Sequence, residues 1–436
     1  MTSTDPTAAL EQAFTRPGPG PLLVGFSGGL DSTVLLHALS QDPAIRMHGL
    51  RAMHVHHGLQ ALADDWAAHC ARFCASIGVP LSIVRVNVAR DSGDGLEAAA
   101  RKARYGAFET ALAASEVLVT AHHRDDQAET FLLRALRGSG PDGLAAMRPW
   151  RKFAAGRHWR PLLETPRDDL LAYAQQRDLP WLDDPSNEDT RHARNFLRQR
   201  ILPLLRERWP QADAAFARSA VLNADAVELL DQEDALALAM VRSVDPQALS
   251  ASALLEHAAP RRARVLRRWI EALGFPPLPG AGIVQIESDL LQARADARAR
   301  FVWRDAVIER WRDLLHAQRL REPLPPGWST EWDGSEPLSL PGGDSLELEG
   351  AGAFASPCRV SARRGGERIL LSGRTHSHAL KNVLQELGVP PWEREALPLV
   401  HDRAGTLVAV ADFAYSADFD VWLREQGARL RWRRSP

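Results

Sequence analysis

The sequence predicts an α/β protein that begins with a parallel sheet covered by helices on both faces. Short apolar runs alternate with helical patterns from Leu22 to about Thr120, which is typical of parallel strands joined by right-handed crossovers. A glycine turn follows the first apolar run. Ligands bind such sheets beyond the carboxyl ends of the strands, so residues that follow strands are the candidates for a binding site.

The later part of the chain predicts two further domains. Residues 211–320 are rich in alanine, leucine and arginine at helical spacing and close with a strand-like run, Phe301–Trp311. A proline-rich stretch and then short alternating runs with glycine pairs follow. We therefore expect an N-terminal segment at 1–20, an α/β domain at 21–209, a mostly helical domain at 210–320, a linker at 321–335 and a small mixed α/β domain at 336–436.

Composition predicts a cytoplasmic protein that does not contact a membrane. The chain has three cysteines and a formal net charge of −2. So few cysteines argue against a disulfide framework and for a reducing compartment, and we expect Cys70 and Cys74 to be small buried residues. No signal-peptide pattern and no apolar run of membrane-spanning length are present. With this charge, any surface that binds nucleic acid must come from local clusters of arginine.

The glycine turn is the most informative stretch of the sequence. Leu22–Phe26 predicts a buried strand, and helical spacing begins at Asp31. A helix that starts here offers free N–H groups and a dipole that favours an anion, and the turn Ser27–Gly29 lets the backbone approach a phosphate. Ser27 and Ser32 can donate hydroxyl hydrogen bonds to it. Because Asp31 would repel a bare phosphate, it indicates a bridging metal ion or a cationic group. An ordinary glycine turn is the alternative.

Two further stretches allow a functional or a purely structural interpretation. The histidines in His54–Gly58 end the second predicted strand and can bind a metal, but no acidic or cysteine partner is close in sequence. We favour a strand end that contacts a nucleotide base. Glu97 and Arg101 are spaced as a surface ion pair on a predicted helix. Equally, Arg101 and Arg104 can bind phosphate or RNA.

The stretch from Thr120 to Thr130 follows a strand and opens a helix. Asp126 and Glu129 are three residues apart and share one helix face. Two carboxylates near a triphosphate can coordinate Mg²⁺, or one can take a proton from an amine nucleophile. Capping of the helix N-terminus is the alternative. We favour function, because capping requires only one carboxylate.

A polar loop and an arginine-rich helix come next, at residues 183–200. The loop contains Asp184-Pro-Ser-Asn187, and the helix contains Arg194, Asn195 and Arg198. These side chains can contact phosphate or base edges, or they can simply be solvated.

Together these motifs resemble the tRNA(Ile)-lysidine synthetase family of pyrophosphate-loop ATP pyrophosphatases. Ser-Gly-Gly-Leu-Asp-Ser matches the loop signature of enzymes that cleave ATP between its α and β phosphates. The other matching motifs lie, in the family's order, at residues 57–59, 100–105, 120–130, 137–140, 160–163, 184–187 and 194–198. The chain is therefore expected to begin with an adenine-nucleotide alpha-hydrolase-like domain.

The resemblance implies a two-step ligation. ATP adenylates O2 of the wobble cytidine of a tRNA(Ile) with a CAU anticodon, and L-lysine then attacks C2 to give lysidine and AMP. It implies Mg²⁺ near Asp31 and catalytic roles for Asp31, Asp126 and Glu129. It also implies binding of tRNA or substrate by Arg101, Arg104, Arg194, Asn195 and Arg198, and binding of ATP by Ser27, Gly28, Gly29, Leu30, Asp31, Ser32, His54 and Val55.

Two other classes of protein share parts of this pattern. A tRNA thiolation enzyme uses the same loop but needs reactive cysteines, often as Cys-x-x-Cys, and the spacing of Cys70 and Cys74 differs from that pair. A non-catalytic RNA-binding protein would have no use for an intact loop with paired carboxylates. Basic clusters at residues 261–268 and 363–374 are candidates for tRNA contact in either domain.

Overall fold

The computed structural model describes residues 20–58, 62–88, 96–185, 189–293 and 299–434. The chain divides into two compact units, Met1–Asp231 and Gln232–Pro436. The expected N-terminal segment and Ser186–Asn187 of the polar loop lie outside the described residues, apart from Gly20.

The first unit contains the predicted parallel sheet. Its strand order is β3-β2-β1-β4-β6-β5, and all neighbouring pairs are parallel except β5 with β6. The hairpin of β5 and β6, which turns at Ala154 with a φ of 48°, was not predicted. The strands are β1 Leu22–Gly25, β2 Leu50–His56, β3 Leu81–Arg85, β4 Val117–Val119, β5 Trp150–Phe153 and β6 Gly156–Trp159.

Helices cover both faces of this sheet. Leu22 and Val24 of β1 join one buried cluster with residues of α1, whereas Leu23 joins a second cluster with Phe108 of α4. Alternate residues of one strand therefore enter different cores, as expected for a doubly covered parallel sheet. The helices are α1 Leu30–Gln41, α2 Pro43–His48, α3 Ala63–Ser76, α4 Leu96–Ala111, α5 Arg124–Ala135, α6 Pro141–Leu144, α7 Arg167–Gln176, α8 Ala193–Phe196, α9 Leu202–Arg208 and α10 Ala212–Val241.

The helix predicted over Asn195–Arg208 is interrupted. A π-helical turn, Leu197–Ile201, separates α8 from α9. Such turns are rare and are often found at functional sites. Arg198, one of the candidate site residues, lies within it.

The second unit begins with helices packed on an antiparallel sheet of order β7-β10-β9-β8. The single strand expected over Phe301–Trp311 is wrong, because Arg304 adopts a φ of 48° and turns the chain into a hairpin. The elements are β7 Ala248–Ser250, α11 Ala251–Leu255, α12 Ala259–Ala272, α13 Gly280–Gln285, β8 Arg300–Trp303, β9 Ala306–Trp311 and β10 Leu314–Arg319, with a π-helical turn at Ile286–Leu290.

The remainder of the second unit is a mixed α/β arrangement around one hydrophobic core. Its larger sheet has the order β11-β14-β17-β18-β19, and β12-β13-β20 and β15-β16 form smaller sheets. β11 lies within the stretch predicted as a linker. The elements are β11 Ser329–Trp332, β12 Leu338–Ser339, β13 Ser345–Glu349, β14 Cys358–Ser361, β15 Arg368–Ile369, β16 His378–Ala379, α14 Leu380–Glu386, α15 Pro391–Ala396, β17 Leu399–His401, β18 Leu407–Val410, β19 Ala414–Tyr415, α16 Ala417–Glu425 and β20 Arg429–Arg433.

The basic face predicted on α12 is largely neutralised. The carboxylate of Asp234 is fully buried and accepts hydrogen bonds from Arg261, Arg264 and Arg268 at 3.0, 2.6 and 3.3 Å. A buried carboxylate needs such partners, because leaving it unpaired would cost several kcal/mol. These arginines therefore hold the fold of the second unit together.

Across the described residues, no helix combines the length and the apolar character needed to cross a membrane.

Replacing Gly28 with alanine should destabilise the first unit. Gly28 has a φ of 83°, and an added Cβ would lie 2.9 Å from Cys70 Sγ. We expect Gly28→Ala to lower the free energy of unfolding by about 1–3 kcal/mol, the usual cost of a strained backbone. Urea unfolding measures this change.

Gly106→Ala is the matched control, because Gly106 lies in α4 and nothing is within 4 Å of an added Cβ. Alanine is the better helix former, so this variant should be as stable as the wild type or more so. Equal stability of the Gly28→Ala variant and the wild type would contradict the strain argument.

Candidate active site

A cavity of about 490 Å³ lies at the carboxyl ends of β1, β2 and β4 in the first unit. Most of the residues predicted from the sequence line it, but Gly28, Glu129 and Asn195 do not. The predicted residues that line it are Ser27, Gly29, Leu30, Asp31, Ser32, His54, Val55, Arg101, Arg104, Asp126, Arg194 and Arg198.

The glycine turn is closed by its own hydroxyl groups. Ser27 Oγ and Ser32 Oγ are 3.0 Å apart, and Ser32 Oγ donates to the carbonyl of Gly29 at 3.1 Å. The first bond of α1 runs from the N–H of Thr33 to the same carbonyl. The N–H groups of Leu30 to Ser32 consequently lack acceptors within the helix. They offer an anion site at the floor of the cavity.

His123 lies between two carboxylates beside this turn. Its side chain is 1% exposed, and Nε2 is 3.6 Å from Asp31 Oδ2 and 3.5 Å from Asp126 Oδ2. Although burial opposes protonation, Asp126 and Asp31 raise the pKa of His123. Burial likewise opposes ionisation of Asp31, but His123 and the charge of Arg167 lower the pKa of that carboxyl. The two aspartates therefore flank one imidazole, with His123 Nε2 within 3.6 Å of an oxygen of each.

Asp31 has the chemistry of a magnesium ligand. Asp31 Oδ1 is buried and has no hydrogen-bond partner, so a cation would satisfy it. Hard cations such as Mg²⁺ bind carboxylate oxygens and usually keep water or substrate phosphate as further ligands. Among the described residues, no group of three or more His, Cys, Asp or Glu side chains is arranged to hold a metal ion by itself.

Glu129 does not face the cavity. Its side chain is 0% exposed, and its two oxygens accept hydrogen bonds from Arg194 Nε at 2.7 Å and Arg198 Nε at 2.6 Å. Arg198 also donates to Asp126 Oδ1 at 3.1 Å. The helix face shared by Asp126 and Glu129 is thus divided, because one carboxylate lines the cavity and the other holds two arginines that line it.

The capping interpretation also applies to Asp126. Its Oδ2 accepts a hydrogen bond from the backbone N–H of His123 at 3.2 Å, at the start of α5. A single carboxylate therefore caps the helix, pairs with Arg198 and lines the cavity. Capping and a functional role coexist at this residue.

Histidines and cysteines next to the turn have structural partners. His54 Nδ1 is 3.0 Å from the carbonyl oxygen of Phe26 and 3.4 Å from Cys70 Sγ. Burial raises the pKa of the Cys70 thiol to about 12 and that of Cys74 to about 11. Both thiols are buried and stay protonated at neutral pH. The expectation that they are small buried residues is confirmed.

Several residues that line the cavity were not among the predicted site residues, including Arg167, Tyr105 and His122. Arg167 Nε is 3.8 Å from Asp31 Oδ1. The only signal for it was its place in a motif-rich segment. His122 belongs to the stretch from Thr120 to Thr130, and its ring contact with His158 depends on β6, which was not predicted.

Family models match three stretches of the chain. A model described as PP-loop domain matches residues 3–205, one described as TilS substrate binding domain matches 249–316, and one described as TilS substrate C-terminal domain matches 358–432. A curated protein of Xanthomonas axonopodis pv. citri, named tRNA(Ile)-lysidine synthase, is 55% identical over 95% of this chain and 94% of its own length. The chain belongs to the tRNA(Ile)-lysidine synthase family.

Other family members are similar over the same span. Proteins of Xanthomonas campestris pv. campestris and Xylella fastidiosa with the same name are each 53% identical over 95% of this chain, and over 95% and 96% of their own lengths. In this family member, the PP-loop match contains the whole cavity. The expected fold class is confirmed.

Replacing Glu129 with glutamine should be strongly destabilising. The change preserves volume but leaves Arg194 and Arg198 facing a neutral group inside the protein. Breaking a buried ion pair typically costs about 3–5 kcal/mol. Urea unfolding should therefore show a large loss of stability.

Asp189→Asn is the control, since Asp189 pairs with Arg191, whose side chain is 89% exposed. Pairs in solvent contribute little, so we expect a much smaller effect. Similar losses in the two variants would contradict a special role for the buried carboxylate.

Proposed function

We propose that this protein ligates L-lysine to C2 of the wobble cytidine of tRNA(Ile) with a CAU anticodon, consuming ATP and releasing AMP and pyrophosphate. One observation carries the proposal. An anion-binding helix start and a carboxylate that suits an amine substrate, Asp126, line one cavity in a member of the tRNA(Ile)-lysidine synthase family.

The first step forms an adenylate on the RNA. Cytidine O2 attacks the α phosphorus of ATP, an O–P bond forms, and the bond to the β phosphate breaks to release pyrophosphate. The N–H groups at the start of α1 and the serine hydroxyls of the turn support a role in holding the leaving phosphates. We assign ATP binding to Gly28 of the glycine turn and to seven residues that line the cavity, namely Ser27, Gly29, Leu30, Asp31, Ser32, His54 and Val55.

The second step forms the C–N bond. The side-chain amine of lysine must lose a proton before it attacks C2, and AMP leaves as the C2–O bond breaks. We assign Asp126 to recognise the amine and accept its proton, because this carboxylate faces the cavity. Glu129 is assigned to hold Arg194 and Arg198, which is a narrower role than the catalytic one expected from the sequence.

Mg²⁺ belongs to the proposal as the ion that Asp31 would hold, because its buried Oδ1 has no hydrogen-bond partner. When bound, it would offset the negative charge of the ATP phosphates.

Four arginines that line the cavity are the candidates for RNA contact. Arg101 and Arg104 belong to α4, and Arg194 and Arg198 flank the start of the π-helical turn. Asn195 supports them indirectly, since its side chain donates to the carbonyl of Asp189 at 3.0 Å.

We also assign residues 210–320 and 336–436 to tRNA binding. We place the protein in the cytoplasm, and its three unpaired cysteines support this location.

Sulfur transfer has no support in the structure. A thiolation enzyme needs a thiolate, but all three cysteines are buried and burial raises the pKa of each thiol.

The decisive assay is incubation with ATP, labelled lysine and a CAU-anticodon tRNA transcript, with label counted at the wobble base. Wild type should incorporate lysine. Asp126→Asn should bind ATP and tRNA normally but lose at least two orders of magnitude in incorporation, the usual scale of a lost general base.

Asp178→Asn is the matched control. Asp178 is exposed, lies outside the cavity and has a φ of 49°, a conformation that asparagine tolerates well. It should incorporate lysine at the wild-type rate. Normal turnover by Asp126→Asn would refute the assignment of the base.

A further inference from the structure

Behind the cavity, hydrogen-bonded polar side chains form a chain whose members Thr120, His158 and Arg160 are buried. The reaction as described does not use it. His158 is fully buried and Arg160 almost so. Arg151 Nε donates to His158 Nδ1 at 3.1 Å, and Arg160 Nη2 lies 3.2 Å from the same nitrogen. Thr120 Oγ1 is 2.8 Å from His158 Nε2 and 2.7 Å from His122 Nδ1. The chain thus connects two arginines to His122, which lines the cavity.

The chemistry of these groups determines the direction of every hydrogen bond. Guanidinium groups only donate, so His158 Nδ1 must accept and its proton must lie on Nε2. Burial and the charges of Arg160 and Arg151 lower the pKa of His158 to about 2, so the ring is neutral. Nε2–H then donates to Thr120 Oγ1, and the hydroxyl hydrogen of Thr120 donates to His122 Nδ1.

His122 therefore carries its own proton on Nε2. Burial and the charges of Arg160 and Arg101 hold the pKa of His122 well below its usual range, so this ring is also neutral. Among the described residues no acceptor is recorded for Nε2. These hydrogen-bonded side chains therefore fix His122 as a neutral N–H donor at the cavity, with a defined orientation.

Arg101 adds a cation to the same wall of the cavity. It lines the cavity beside Tyr105, and its guanidinium carbon is 4.9 Å from the centre of the Tyr105 ring. After burial and the charge of Arg160, the charge of Arg101 is a further cause of the lowered pKa of His122. A fixed N–H donor together with a guanidinium group matches the oxygens of a phosphate.

We propose that His122 and Arg101 form a phosphate-binding subsite, in which Thr120 and His158 fix His122 as a donor. This inference rests on the proposed function, which brings two kinds of phosphate to the cavity. The phosphate belongs either to the nucleotide or to the RNA strand next to the wobble cytidine, and both are bound through the same oxygens.

Binding measurements on single substrates test the subsite without requiring lysidine formation. ATP affinity is measured by equilibrium dialysis without RNA, and tRNA affinity by filter binding without ATP over a salt series. His122→Phe removes the donor, and His122→Gln keeps an N–H near the position of Nε2. We expect His122→Phe and Arg101→Gln to lose about tenfold or more in the same assay, the scale of a hydrogen bond to a charged group. His122→Gln should stay near the wild type.

The assay that responds identifies the phosphate. A loss confined to ATP assigns the nucleotide, and a loss confined to tRNA, with a shallower salt dependence for Arg101→Gln, assigns the RNA strand. Unchanged affinity for both ligands in both His122→Phe and Arg101→Gln would overturn the subsite. So would equal weakening by His122→Gln and His122→Phe, because the donor would then be irrelevant.

Thr120→Val tests the chain behind the donor, since it removes the hydroxyl that orients His122. It should weaken the same ligand, and wild-type affinity in a variant with an unchanged melting temperature would overturn the proposed orientation. Arg157→Gln is the charge-matched control, because the guanidinium carbon of Arg157 lies 4.4 Å from the centre of the Trp150 ring and Arg157 does not line the cavity.

Failure of the proposed function can be distinguished from failure of the subsite. If the wild-type protein bound both ligands but formed no lysidine, the proposed function would be refuted, whereas the binding assays would still decide whether the subsite exists.

Discussion

The buried carboxylate of Glu129 is the constraint on which the geometry of the cavity depends. A carboxylate removed from water must be paired, and Glu129 is paired by the Nε groups of both Arg194 and Arg198. If either arginine turned away, the buried carboxylate would lose one of its two Nε–H donors. Both arginines line the cavity, and Arg198 Nη2 donates there to Asp126 Oδ1 at 3.1 Å.

The same helix, α5, organises the neighbouring charges. Asp126 lines the cavity at its first turn, 3.5 Å from Nε2 of the buried His123, while Asp125 accepts a hydrogen bond from Arg206 Nη2 at 2.8 Å. Arg206 is itself bound by both oxygens of Asp213, at 2.5 and 3.0 Å. The segment that contains the π-helical turn is therefore tied to α5 at both of its ends. This explains how an irregular helix can present arginines in a defined position.

Local motifs made the fold class and the glycine turn predictable. A strand, a glycine turn and a helix are determined within a dozen residues, and the alternation of apolar runs predicts the parallel sheet. Turns without glycine gave no such signal. Ala154, Arg304 and Arg312 adopt positive φ at three hairpins that were not predicted, and neither alanine nor arginine marks that conformation in a sequence.

Besides these turns, the sequence could not predict which charged side chains are buried. Asp126 and Glu129 occupy one helix face, yet only the packing of α8 and the π-helical turn decides that one lines the cavity and the other is enclosed. Likewise the arginines of α12 predict a basic surface, but Asp234, about thirty residues earlier, neutralises three of them. Both cases depend on partners distant in sequence, which periodicity does not reveal.

In the proposed reaction the RNA, rather than the amino acid, receives the adenylate. This order of events can be tested by the exchange of labelled pyrophosphate into ATP, measured without lysine. Exchange should occur in the presence of a CAU-anticodon tRNA and should be absent with ATP alone. Exchange that requires lysine and proceeds without tRNA would contradict it, because the amino acid would then be the group that is adenylated.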